Sequence, residues 1–253
     1  MTRASSELAH LFRQLKAPAA ARALPKLADR ARAEEWSFEQ FAAALLKTET
    51  DSRDRHGGQS RIKAARFPAR KTLEEFDFTF QTSLRREPVL HLGQLDFLAG
   101  RENVVLLGPP GTGKTHLTIA IGIRACLAGH RVAFRTATEW VALLADAQRQ
   151  GRLDAELDRL QRMPLLIVDE VGYIPFDLQA ANLMFMLVSR RYERASLIVT
   201  SNKPFSGWGE ILGDDVVAAA MIDRFVHHAE ILALKGDSYR LRDRDLARAP
   251  RED

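Results

Sequence analysis

The densest chemical signal in this 253-residue chain is Gly108-Pro109-Pro110-Gly111-Thr112-Gly113-Lys114-Thr115. It follows the pattern G-x-x-x-x-G-K-[ST]. The apolar run Asn103–Leu107 precedes it, and a segment of helical spacing, Lys114–Ala128, follows. In that strand–loop–helix context the pattern is a phosphate-binding loop. Gly111 and Gly113 let the backbone bend so that successive N–H groups face phosphate oxygens. The helix that opens near Lys114 adds the positive end of its dipole. Lys114 is suited to reach β- and γ-phosphates, and Thr115 to set its hydroxyl on Mg²⁺. His116, the next residue, is counted with the nucleotide-binding set. The expected cofactors are ATP and Mg²⁺.

Some 55 residues on, Leu165-Leu-Ile-Val-Asp-Glu170 is an apolar strand ending in two carboxylates. Ligands of such sheets bind at the carboxyl ends of strands. Asp169 is suited to hold the metal and Glu170 to orient and deprotonate an attacking water. A carboxylate pair of this kind favours hydrolysis over phosphoryl transfer to a small-molecule acceptor. Asn202 closes a further apolar strand, where its amide would lie near a γ-phosphate; a turn-forming Asn before Lys203-Pro204 is the alternative. Arg224 would either pair locally with Asp223 or Glu230 or reach another subunit's nucleotide as an arginine finger. His227 and His228, adjacent on an expected helix, should point apart, which argues against a two-histidine metal site. Trp208 is expected to pack in a loop or core, with stacking on a partner as the alternative.

The elements needed to place these residues are short apolar runs alternating with helices. The spacing predicts strands at Asn103–Leu107, Arg131–Arg135, Leu165–Asp169, Ser196–Ser201 and Glu230–Leu234. Helices are expected near Lys114–Ala128, Glu139–Gln150, 153–162, Leu178–Arg194 and Asp215–His228. Nearly all-apolar strands separated by helices imply an α/β fold with a five-stranded parallel sheet covered on both faces. Before it, residues 1–52 read as a small all-helical domain. There Leu8, Leu11, Phe12 and Leu15 keep helical spacing, Pro25 falls in a first turn, and Ser37 with Gln40 forms a capping box. Trp36 and Phe41 flank that cap, and Phe38, Phe41 and Leu45 share a face. Residues 53–71 read as a basic linker broken at Gly57-Gly58 and Pro68, and residues 72–253 as the nucleotide-binding domain.

Charge is unevenly spread. Residues 1–71 hold 15 Lys and Arg against 8 Asp and Glu, a net of +7, and the remainder is −3. A basic arm of this kind suits a polyanion. Its candidate contacts with DNA phosphates are Arg53, Arg55, Arg61, Lys63, Arg66, Arg70 and Lys71. A run of about 18 unbroken apolar residues, which a membrane span would need, is absent from the sequence. The single cysteine, Cys126, cannot form an internal disulfide, and a cytoplasmic location is expected.

Longer stretches carry a resemblance. The loop, the Asp-Glu pair, Thr200-Ser-Asn202 and Met221-Ile-Asp-Arg224 follow the order of AAA+ ATPases. Lys71-Thr-Leu-Glu-Glu-Phe-Asp-Phe78, Asn103–Pro110, Ser189-Arg-Arg-Tyr-Glu-Arg194, Gly213–Arg224 and Leu234-Lys-Gly-Asp-Ser-Tyr-Arg240 resemble the IstB family of insertion-sequence transposition helper ATPases. The resemblance is strong over residues 60–242. It implies a protein that assembles with ATP on double-stranded DNA as a homo-oligomer and presents that DNA to a partner transposase. It makes Asn202 a sensor and Arg224 a finger acting in trans, and it gives Arg240 the place of a second sensor. Phe76 and Phe78 would border the adenine. Only 19 residues follow Leu234, too few for the helical lid of larger AAA+ proteins. A replicative helicase loader, which shares this ATPase core, is the competing reading.

Overall fold

The computed structural model describes residues 3–242. By its internal contacts the chain divides between Ser60 and Arg61. The first unit is helical: α1 spans Arg3–Gln14, α2 Pro18–Ala33, and α3 Phe38–Ala65. Ser37 and Gln40 form the reciprocal cap expected of them, with Gln40 N–H donating to Ser37 Oγ and Ser37 N–H to Gln40 Oε1. Pro18, not Pro25, occupies a first turn, where its missing N–H costs nothing; Pro25 lies inside α2. Phe38 is 92% exposed and lines no packed face.

The linker expected at 53–71 is helical as far as Ala65, and Gly57-Gly58 does not break it. Glycine inside a helix costs only about 1 kcal/mol relative to alanine, which a 28-residue helix absorbs. The turn comes at Arg66, which has φ +62°. One buried carboxylate organises the first unit. Glu49 on α3 accepts the N–H groups of Ala19 and Ala20 at the start of α2, at 2.9 and 3.0 Å. Arg53, one turn on, pairs with Glu49 at 3.0 Å and donates to the carbonyls of Leu15 and Lys16 beyond α1. Orphan donors and acceptors of two helix ends are thus satisfied by two side chains of the third.

The second unit begins with the last residues of α3, continues with α4 (Arg86–Leu92) and α5 (Asp96–Gly100) and then builds a sheet: β1 Asn103–Leu107, β2 Val132–Thr136, β3 Leu165–Val171, β4 Ser196–Ser201 and β5 Ala229–Ala233. All five strands are parallel, in the order β2-β3-β4-β1-β5. The connecting helices are α6 (Lys114–Leu127), α7 (Ala137–Arg149), α8 (Leu153–Gln161), α9 (Leu178–Arg191), α10 (Trp208–Leu212) and α11 (Asp215–Val226). Alternation along each strand sorts the core into two layers. Val104, Leu106, Leu165, Ile167 and Ile198 pack with α6 residues such as Leu117 and Ile121. Val105, Leu166, Val168, Leu197 and Val199 pack on the other face with Trp140, Leu187 and Phe225. Trp208 is fully buried, edge-on to Phe205 and Phe225. Arg191, buried without a carboxylate partner among the described residues, donates to the carbonyls of Leu160, Met163 and Ser196 and so ties α8 to the start of β4. Among the described residues, no helix is long and apolar enough to cross a membrane.

The Glu49 contacts yield a prediction. Its carboxyl is held below its ordinary pKa, chiefly by the Ala20 N–H bond. A depressed folded-state pKa gives stabilisation that is complete above the unfolded value of about 4.3 and is lost as pH falls through the folded value. Glu49→Gln is therefore expected to lower the melting temperature at neutral pH and to make its fall on acidification shallower. Circular dichroism melts of both proteins at several pH values check this; superimposable pH dependences would remove Glu49 as the organising group.

Candidate nucleotide site

The loop 108–113 leaves β1 and enters α6. Gly111 and Gly113 have φ of +82° and +99°, in the region that favours glycine. A Cβ at Gly113 would lie 2.5 Å from the Phe76 ring, and one at Gly111 would lie 2.0 Å from Ser238 Oγ. These positions are therefore fixed by close approach as well as by backbone conformation. Lys114 is nearly buried and its ammonium donates to the carbonyls of Gly108 (2.6 Å) and Pro109 (2.8 Å). Burial pushes its pKa down, against the attraction of Asp169.

Asp169 lies on the α6 side of β3, in line with Leu165 and Ile167, and is 3% exposed. Its carboxylate accepts from Thr115 Oγ at 3.0–3.1 Å and from Thr200 Oγ at 2.6 Å. Burial pushes its pKa up, and those hydrogen bonds and Lys114 oppose the shift. A hydroxyl beside a buried carboxylate is an all-oxygen donor set of the kind that a hard cation such as Mg²⁺ takes. Glu170 is exposed, and its φ of +62° is a strained conformation for a residue with a Cβ, costing on the order of 1–3 kcal/mol. Asn202 follows β4, whose last residue is paired with the end of β1. Its side-chain oxygen is buried and has no hydrogen-bond partner among the described residues.

A cavity of about 560 Å³ opens beside the loop. Its walls include Gly111, Thr112, Gly113, Thr115 and His116, together with Phe76, Phe80, Gln81 and Tyr239. His116 donates Nε2–H to the Thr72 carbonyl at 2.8 Å and stands edge-on to Phe76. Of the two phenylalanines expected near the adenine, Phe76 lines the cavity and Phe78 does not. Phe80 takes that place, and Phe78 packs behind Phe76 at 4.8 Å between ring centres. Arg240 also lines the cavity, close enough for its charge to depress the Lys114 pKa.

The segment after β5 acts as a strap. Tyr239 N–H donates to the Gly111 carbonyl at 3.0 Å. Arg242 pairs with Asp77 at 2.7 Å and lies over Phe80 and Tyr239. The Asp77 carboxyl is lowered to about 2, first by the Thr79 hydroxyl, then by the Phe80 N–H, with Arg242 adding to them.

Residues expected on DNA are dispersed. Arg53 is spent on helix ends, and Arg61 Nε donates to the Cys126 carbonyl at the end of α6. Arg70 and Lys71 line the nucleotide cavity. Arg55, Lys63 and Arg66 are exposed. Arg224 makes no ion pair among the described residues. Its guanidinium donates to Ala220 O at 2.7 Å and lies 4.8 Å from the centre of the Phe185 ring. The Arg224 carbonyl accepts from Asn103, at the start of β1, whereas the loop leaves the other end of that strand. Five residues at about 3.3 Å each separate the two ends, so the Arg224 backbone lies near the end of β1 opposite its own phosphate loop. His227 and His228 follow the last helical residue and so escape the helical divergence expected of them. Their nitrogens and a Glu193 oxygen fall within 4.8 Å of one another, all exposed.

The sequence reading missed Thr200, Phe80, Gln81 and Tyr239. Thr200 had a signal, a polar residue directly after the apolar run Leu197-Ile-Val199. The others become neighbours of the loop only through tertiary folding.

The strand order, with β4 between β1 and β3, the phosphate loop after β1 and the carboxylates near the end of β3, defines the AAA+ class of P-loop folds. Solved structures agree. DnaA of Aquifex aeolicus, bound to AMPPCP, matches with a TM-score of 0.56 at 21% identity over 70% of this chain and 54% of its own. A DnaC helicase loader matches with a TM-score of 0.53 at 19% identity over 69% of this chain and 99% of its own. These likenesses show the fold. Within the class, the chain belongs to the family of IstB-like ATP binding proteins, whose model matches residues 10–247. An insertion sequence IS21 putative ATP-binding protein of Pseudomonas aeruginosa is 45% identical over 238 residues, 94% of this chain and 90% of its own. An IS5376 counterpart from Geobacillus stearothermophilus is 40% identical over 240 residues, 95% of this chain and 96% of its own.

If the strap closes the cavity, Asp77→Asn should loosen it. Tryptic cleavage after Arg240 and Arg242 is expected to accelerate, as followed by intact mass spectrometry. An unchanged cleavage rate would show that the Arg242–Asp77 pair does not hold the tail.

Proposed function

We propose that the chain is an ATPase that hydrolyses ATP with Mg²⁺ and serves insertion-sequence transposition by assembling on double-stranded DNA. In this reading it offers that DNA to a transposase. The observation that carries the ATPase part is the packing of Thr115 against Asp169 with Glu170 alongside, on a loop whose glycines take the required backbone. Thr115 and Asp169 would hold Mg²⁺, which would supply positive charge to offset that of the phosphates. Lys114, now held by two loop carbonyls, would exchange them for β- and γ-phosphate oxygens. Glu170, exposed at the mouth of the site, would take a proton from the attacking water. Asn202 would orient that water through its unpaired buried oxygen, or the γ-phosphate through its amide N–H group. The Arg224 backbone lies near the end of β1 opposite its own phosphate loop, which favours action on a neighbouring subunit's nucleotide. The insertion-sequence context of the relatives supports the transposition part.

Lys114→Ala is expected to lose ATP binding, and Glu170→Gln to bind ATP but hydrolyse it at least ~10²-fold more slowly, the lower scale of a lost general base. Arg224→Ala should bind ATP yet turn over ~10³-fold more slowly, as for a missing arginine finger. Mixed with Lys114→Ala protein it should regain activity through interfaces holding one intact site. Turnover by Glu170→Gln at the wild-type rate would remove the proposed chemistry. Failure of the mixture to complement in a demonstrated oligomer would remove the shared site.

For DNA, the exposed Arg55, Lys63 and Arg66 are the phosphate contacts we propose. Each neutralised phosphate contributes about −0.9 to the slope of log affinity against log salt. Replacing all three with alanine is expected to flatten that slope by up to ~3 and to weaken binding to unrelated duplexes alike. Fluorescence anisotropy at several salt concentrations measures it. An unchanged slope would assign the DNA contact to other residues.

A further inference from the structure

Strands β3 and β4 lose their regular register where the site begins. Val168 pairs with Val199, and the next pair is Val171 with Ser201. Two residues of β3, Asp169 and Glu170, therefore face the single residue Thr200 of β4. This is a β-bulge, a device that re-aims a side chain. In an unbroken strand, Asp169 would face α6 and Glu170 would turn to the opposite layer with Leu166 and Val168. At the bulge Glu170 adopts φ +62°.

Thr200 lies on the same side of the sheet as Ile198 and is 1% exposed. Its hydroxyl accepts the Glu170 N–H at 2.9 Å and donates to Asp169 Oδ1 at 2.6 Å. A hydroxyl has one proton to give, so these two bonds fix its orientation. The first bond holds the left-handed backbone of Glu170, and the second holds the Asp169 carboxylate. Thr115 is the other side-chain donor to Asp169 among the described residues, and it is the hydroxyl that the proposed cation would engage.

We propose that Thr200 is a positioning residue of the catalytic site: its hydroxyl sets Asp169 and Glu170 together. This inference rests on the ATPase reading. Valine has nearly the shape of threonine but makes neither bond. It would leave a buried carboxylate one donor short and the Glu170 N–H unpaired. Serine keeps both bonds.

The test compares kcat and KM for ATP in the wild type, Thr200→Val, Thr200→Ser, Glu170→Gln and the Thr200→Val/Glu170→Gln double variant. Affinity for a fluorescent ATP analogue is measured with and without Mg²⁺, and each variant is melted. Thr200→Val should lower kcat by about 10²-fold, the scale of a displaced general base, while KM and Mg²⁺-free analogue affinity stay within about threefold. Thr200→Ser should restore kcat to within about threefold. In the Glu170→Gln background the Val substitution should cost less than about threefold more, because groups acting as a unit are not additive. Wild-type kcat in Thr200→Val, or losses that multiply in the double variant, would overturn the positioning role. If Thr200→Val does not fold, Thr200→Ala, which leaves space where Val puts a methyl, is compared with Thr200→Ser by the same criteria. If the wild type has no turnover that Glu170→Gln reduces, the ATPase reading itself falls and the role of Thr200 falls with it.

Discussion

Asp169 is a carboxylate almost removed from water, and the fold must replace the solvation it has lost. Two hydroxyls and a nearby ammonium do this, and they come from two places in the chain: Lys114 and Thr115 at the start of α6, and Thr200 on β4. Each is delivered by an element whose position depends on the parallel sheet. The pairing of β4 with both β1 and β3 puts Thr200 beside Asp169, and the turn out of β1 starts α6 opposite the end of β3. The apolar layers on either side of the sheet matter to the chemistry because they hold these polar groups in place without water.

Much of this could be read from the sequence because it is local. The phosphate loop is a contiguous pattern with a fixed backbone requirement, and the apolar strands announce themselves by length and composition. Strand ends fell within about a residue of expectation, apart from β3, which extends two residues past Asp169 through its bulge. That bulge was illegible, since it depends on the register with β4. The long α3 was misjudged for a different reason. Gly57-Gly58 and a run of charges favour a loop locally, but continuation of a helix already nucleated upstream outweighs two glycine penalties. The pocket walls beyond the loop were hidden because Gln81, Phe80 and Tyr239 meet the phosphate loop only across large sequence separations.

The basic segment shows how composition can mislead about individual side chains. Seven Lys and Arg lie in residues 53–71, against one Asp. The count suggests one uniform electrostatic arm, but the side chains do unlike things. Arg53 closes helix ends, Arg61 holds a carbonyl at the end of α6, and Arg70 and Lys71 face the nucleotide cavity. A guanidinium with five donors is as useful for tying up stray carbonyls as for meeting phosphates.

The strap has a consequence for how the chain is made. The cavity's walls come from residues 68–81, from the loop, and from Tyr239 and Arg240. A nascent chain that has emerged only as far as β5 already possesses the complete phosphate loop and both carboxylates, but one wall of the cavity is still missing.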